Sequence, residues 1–152
     1  MRKEFGSVTV ELAIVGTLFF VLLLAVIETG RLMYTINALN EVTRLGARAA
    51  SVCEIQSGEI AKIATFNNGG LLQNLDSSNI SVNYLDQDGG VVPNPNPADE
   101  AGYLQIRFVR VSISGFSYQS FIPGVGNVTL PTFSTTLPRE SLGIVPNETP
   151  GC

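Results

Sequence analysis

The chain has 152 residues, 45% hydrophobic and only 14% charged, a length suited to one domain or one domain plus an anchor. Its net charge of −4 argues against a basic nucleic-acid-binding surface, and the absence of histidine removes the commonest general base and the commonest zinc ligand. No Gly-x-Ser-x-Gly elbow and no phosphate-binding Gly-Lys motif occurs, so the chain is expected not to be an enzyme and to need no metal or cofactor.

The chain opens with two basic residues, Arg2 and Lys3, and Leu12 to Ile27 then carries no charge. With Val8 and Val10 the apolar stretch reaches about 20 residues, enough to cross a bilayer core of ~30 Å. A buried core helix would need a larger and less polar protein around it. A cleaved secretory signal would need a small-x-small site at the far end, where Glu28-Thr-Gly-Arg31 stands instead. The anchor is therefore expected at about residues 8–27. Charge does not orient it, since Arg31, Arg44 and Arg48 balance Arg2 and Lys3.

Glu11 lies inside this apolar run. An acidic side chain costs roughly 2.5–3.5 kcal/mol at a bilayer centre and less near the interface, so Glu11 either snorkels at the boundary or has a partner. A cut after Gly6 would supply one: Ser7 would carry a new ammonium one helical turn from Glu11. In a low dielectric the two charges stabilise each other's placement, within one chain or between packed helices. Glu11 would then set helix register.

From Arg31 to Cys53 there is no proline, and the only glycine is Gly46. Leu32, Ile36, Leu39, Val42, Leu45/Gly46, Ala49 and Val52/Cys53 recur at helical spacing, with Asn37, Asn40/Glu41, Arg44, Arg48 and Ser51 opposite. One helix is expected over residues 7–53. Glu41 and Arg44 are spaced to pair weakly on its exposed side. Gly16 and Gly30 are small enough to permit close helix approach, without a Gly-x-x-x-Gly pair.

The short basic leader, Gly6, Glu11 five residues later and the apolar helix together resemble a type IV prepilin N-terminus. Residues 6–34 and the run Asn40-Glu-Val-Thr-Arg44-Leu-Gly-Ala-Arg48-Ala-Ala-Ser51 resemble the TadE-type pseudopilins of the tight-adherence pilus system. One departure is Leu12, where that family usually carries an aromatic; it weakens assignment to the major pilin more than to a pseudopilin. The resemblance implies a leader over residues 1–6 cut between Gly6 and Ser7 by a prepilin peptidase. It also implies other pilins, including the major pilin, an inner-membrane assembly platform and an assembly ATPase as partners. The head, residues 54–152, would then lie in the periplasm or in an extracellular pilus. The competing reading is a permanently anchored periplasmic binding module, which would retain Met1–Gly6. Cys53 and Cys152 lack zinc-site spacing. In an oxidising compartment they would form one disulfide tying the C-terminus to the end of the long helix; two unpaired thiols are the alternative.

The head is expected to be α+β. Ser57–Phe66 reads as a short helix capped by Ser57 and stopped by Asn67-Asn-Gly-Gly70. Ile80, Val82 and Tyr84 alternate as a half-buried strand does. Leu104, Ile106 and Phe108 alternate, and the phase then shifts to Val109, Val111 and Ile113: one bulged strand or two. A third strand is expected within Val128–Leu137, interrupted by Pro131. The result is a small antiparallel sheet of about three strands on the long helix. Asp86-x-Asp88-Gly-Gly90 faintly resembles a calcium loop. Pro97 stands where the twelfth ligand belongs, so a solvated turn is expected. Asp99 and Glu100 read as loop acids. Phe116, Tyr118, Phe121 and Ile122 form an aromatic cluster before Pro123, either core or a subunit-contact patch.

Overall fold

A computed structural model describes residues 5–65, 72, 74–96, 100–122, 124–143 and 152. Helix α1 runs unbroken from Phe5–Val52, about 72 Å at ~1.5 Å per residue. Two short helices follow, α2 (Glu59–Ala64) and α3 (Glu100–Gln105). The strands are β1 (Ile80–Leu85), β2 (Phe108–Ile113), β3 (Ser117–Gln119), β4 (Asn127–Thr129) and β5 (Phe133–Pro138). β1, β2 and β5 form an antiparallel sheet in the order β1-β2-β5, and β3 pairs with β4 as a separate hairpin. The fold is thus α+β, a sheet layered on a long helix.

Alternation decides which sheet face meets the helix. Val109, Val111 and Ile113 of β2 are fully buried, and Arg110 and Ser112 point to the other face. Tyr84 of β1 is buried, with Ile80 and Val82 packed against the core beside it. From α1 come Ala38, Leu39, Val42, Ala47 and Ala50, at the i, i+3, i+4 spacing of one helix face. That face is turned relative to the stripe read from sequence. Thr35 and Thr43 are buried in it, and Val52 is exposed. Thr43 can sit there because its hydroxyl bonds the Asn40 carbonyl and lies 2.9 Å from the Thr135 hydroxyl. Ser51, read as solvent-facing, is also buried: its hydroxyl donates to the Arg48 carbonyl, and its own carbonyl accepts from the amides of Glu140 and Leu142.

Two glycines set close approaches. A Cβ on Gly46 would stand 3.1 Å from Val111 Cγ1 and 3.2 Å from Ala64 Cβ, so the absent side chain lets β2 and α2 press onto α1. Gly143 has φ of 78°, and a Cβ there would meet the Glu54 Cα at 2.6 Å. Its amide donates to the Val52 carbonyl, which satisfies one of the open carbonyls at the end of α1.

Several local expectations are corrected. Leu104–Arg107 is not strand: α3 covers residues 100–105, Leu104 is exposed, and Ile106 turns into the core. The strand begins at Phe108, where the β2 register with both neighbours starts. Val128–Leu137 holds two strands rather than one, because Leu130 to Thr132 turns the chain from the hairpin into the sheet. α2 begins at Glu59 with Gly58 at the cap position, although the Ser57 hydroxyl does accept from the Glu59 amide at 3.3 Å. Asp86, by contrast, sits in the turn expected of it: its Oδ1 accepts from the amides of Asp88 and Gly90. Phe66, Asn67–Gly70, Pro97, Asp99 and Pro123 lie outside the described residues, as does the Glu100 side chain.

Candidate assembly and membrane-anchoring site

In the first half of α1, up to Ile27, no described residue is buried, although Ala25 lines an open cleft with the head. An 18-residue window of it has a mean hydropathy of 2.7 and is 0% buried. A core helix would be covered, so this segment is a membrane-length helix without a protein cover. Gly16 and Gly30 both face open space.

Gly6, Ser7 and Glu11 all lie on the first turns of α1, and Met1–Glu4 are outside the described residues. Ser7 and Glu11 are one helical turn apart on one face. Glu11 has no hydrogen-bond or ion-pair partner among the described residues. The Glu41–Arg44 pair forms at 3.7 Å with both side chains more than half exposed, a geometry that contributes little.

Cys53 and Cys152 are joined, with an S–S distance of 2.06 Å, at the far end of α1 from the anchor. Cys53 itself is buried in the core cluster with Ala50, Tyr84 and Val109. Tyr84 closes that end. Its hydroxyl accepts from the Gln56 amide at 3.1 Å, and burial pushes its pKa up against the opposing effect of that bond.

A second constellation sits where the apolar stretch stops. Glu28 Oε1 accepts from the Tyr118 hydroxyl at 2.9 Å and from the Phe121 amide at 3.3 Å, and its Oε2 lies 3.1 Å from Arg31 Nη1. The Arg31 guanidinium stacks 3.5 Å from the Phe121 ring centroid and 5.5 Å from that of Tyr118. Desolvation pushes the Glu28 carboxyl up, but the bonds from Tyr118, Ser120 and the Phe121 amide, with the Arg31 charge, outweigh it and leave it below its usual value. Tyr118 is shifted upward, first by burial and then by its bond to the carboxylate. The β3–β4 hairpin is thereby clasped to α1 one residue past Ile27. The aromatic cluster divides here: Phe116 and Tyr118 are core, and Phe121 is 72% exposed.

Residues 6–48 match the model of the TadE-like protein family. This chain carries a TadE-like N-terminal segment. No curated protein and no solved structure matches the chain. The TadE-like segment holds Gly6, Ser7, Glu11, Glu28 and Arg31 and ends before Cys53. The match suggests a role related to the tight-adherence pilus and stops at residue 48, and the bare apolar helix is consistent with membrane anchoring.

The Glu28–Arg31 clasp was missed in the sequence because its partners lie about 90 positions downstream. The available signal was an acid–base pair at i, i+3 directly against an apolar run.

Proposed function

We propose that this chain is a structural minor pilin or pseudopilin of a tight-adherence pilus, cut after Gly6 and taking part in assembly or priming of the filament. The observation that carries it is a TadE-like match that spans the helix half the head leaves bare, with Glu11 near its start, and runs on into the half that packs on the head. A bare apolar helix of this length has two covers available, lipid before assembly and other pilin helices after it. Cleavage puts an ammonium on Ser7 within a turn of Glu11, and the pair fixes axial register in either setting. The head then sits in the periplasm, where the Cys53–Cys152 bond is stable. The partners on this reading are a prepilin peptidase, the major pilin and other pilins, and the inner-membrane platform.

The test is the intact mass and N-terminal sequence of the protein from its native membrane, with and without the peptidase. A peptidase-dependent start at Ser7 is expected. A start at Met1 in both strains would overturn processing and favour a permanently anchored periplasmic binding module.

A further inference from the structure

The chain descends α1 in β2 and β3. Val109 shares a core cluster with Ala50 and Cys53, Ile113 shares one with Leu39 and Val42, and Tyr118 reaches Glu28. The descent covers about 36 Å of helix between residues 52 and 28 at ~1.5 Å per residue. At its lowest point the chain reverses through Phe121 to Gly126 and climbs back in β4 and β5.

Side chains of an α-helix lean toward its N-terminus, so the Glu28 carboxylate lies over the turn before it, at the level of the last apolar residues. The Phe121 amide is bonded to that carboxylate. Ala25 and Glu28 of α1 line an open cleft of 280 Å³ together with Ile122, Val125 and Val128 of the hairpin. The reversal therefore overlaps the last turn of the apolar stretch. Its outer residues are apolar: Phe121 is 72%, Val125 53% and Val128 43% exposed. None of the segment from Ser120 to Val128 is charged.

We propose that the β3–β4 tip is a second membrane contact, resting Phe121 and Val125 in the interfacial layer of the bilayer that α1 crosses. This rests on the reading of residues 8–27 as a membrane span, and the occupant follows from continuity with that span. With α1 close to the membrane normal, the plane through Ile27 passes near the tip, because Phe121 is bonded to Glu28. An aromatic ring with a cation over one face suits the headgroup level, where the ring's apolar body and the Arg31 charge are both solvated. Glu28 and Arg31 hold the tip down, so the head is fixed in tilt and rotation instead of swinging on a single helix.

The chain has no tryptophan, so one can be introduced as a lone reporter. The full chain carrying Phe121→Trp is reconstituted at high dilution in phosphatidylcholine vesicles, and fluorescence quenching by lipids spin-labelled at a shallow or a deep acyl position is compared. Phe20→Trp reports the span, and Val91→Trp, 61% exposed beside the β1 end near Leu85, reports the far end of the head. Val125→Trp repeats the test independently of the Arg31 stack. Expected are shallow-label quenching at least twofold above deep-label quenching at 121 and 125, the reverse at 20, and none at 91. Quenching at 20 without quenching at 121 and 125 would overturn the second contact while leaving the span intact. No quenching at 20 would overturn the span, and the tip contact with it. A blue-shifted, unquenched tip at high protein-to-lipid ratio that reverts on dilution would give the tip to a neighbouring copy and overturn the lipid assignment.

Discussion

The two halves of α1 are one unbroken helix in two different surroundings. From Val8 to Ile27 every large apolar side chain is at least 40% exposed. Leu39, Val42, Ala47 and Ala50 in the second half are at most 1% exposed. The first half is apolar all round and needs an apolar solvent, and the second has one apolar face and makes its own core. Helix propensity therefore decides nothing between them; what covers the side chain does. A substitution should register on head stability only in the second half, and the sharpest contrast is between two leucines. Leu39→Ala is expected to destabilise the head by about 2–5 kcal/mol. Leu18→Ala should leave it within about 0.5 kcal/mol of the parent. Urea titrations of both variants in micelles check this, and equal losses would mean that the first half packs on the head in solution.

The disulfide lies just beyond the end of the second half, away from the bare one. It closes a sequence separation of 99 residues and ties the C-terminus to the end of α1. Cys152→Ser is expected to cost about 2–4 kcal/mol, chiefly by freeing the unfolded chain. Reductant should lower the parent to the level of the variant and leave the variant unchanged. A reductant effect on the variant would place the stabilisation elsewhere.

The glycines give the same contrast at smaller size. Gly46→Leu drives a side chain into Val111 and Ala64 and should cost the head about 1–3 kcal/mol. Gly16→Leu points into open space and should cost the head nothing measurable. Thermal melts of the pair suffice.

What could be read in the sequence tracks how local each signal is. The bare half of α1 was legible because an uncharged run needs no partner to be recognised. Strands β1 and β2 were legible from the alternation of Ile80, Val82 and Tyr84 and of Val109, Val111 and Ile113. Leu104 misled because a short apolar alternation also fits one helical turn followed by a buried residue, and Ile106 is that residue. Thr35 and Thr43 stand outside the apolar stripe of the sequence, yet a threonine hydroxyl can return its bond to the helix backbone and so enter a core face. In the site, Gly6 and Glu11 stand out by their place in the apolar run. Glu28 and Arg31 could be seen only as a surface pair, since Tyr118 and Phe121 give them meaning through the fold.

That junction is where the comparison is finest, because Glu28 and Arg31 belong to neither half and hold the hairpin at the boundary between them. Glu28→Gln keeps the shape and removes the charge, so global unfolding should stay within the error of the measurement. The local effect should appear in the Phe121 amide, whose hydrogen-exchange protection falls when its acceptor weakens. The pH dependence has a defined sign. The Glu28 carboxyl is held below its usual value in the folded protein, so its contribution is complete above the ordinary carboxylate range and is lost as pH falls through the lowered folded value. Protection at Phe121, corrected for intrinsic exchange, should therefore persist through the ordinary carboxylate range and drop only below it. In Glu28→Gln that step should vanish, leaving a flat and lower profile. A step of the same size in the variant would assign it to another acid, and the clasp would then be held by the Arg31–Phe121 stack without help from the carboxylate.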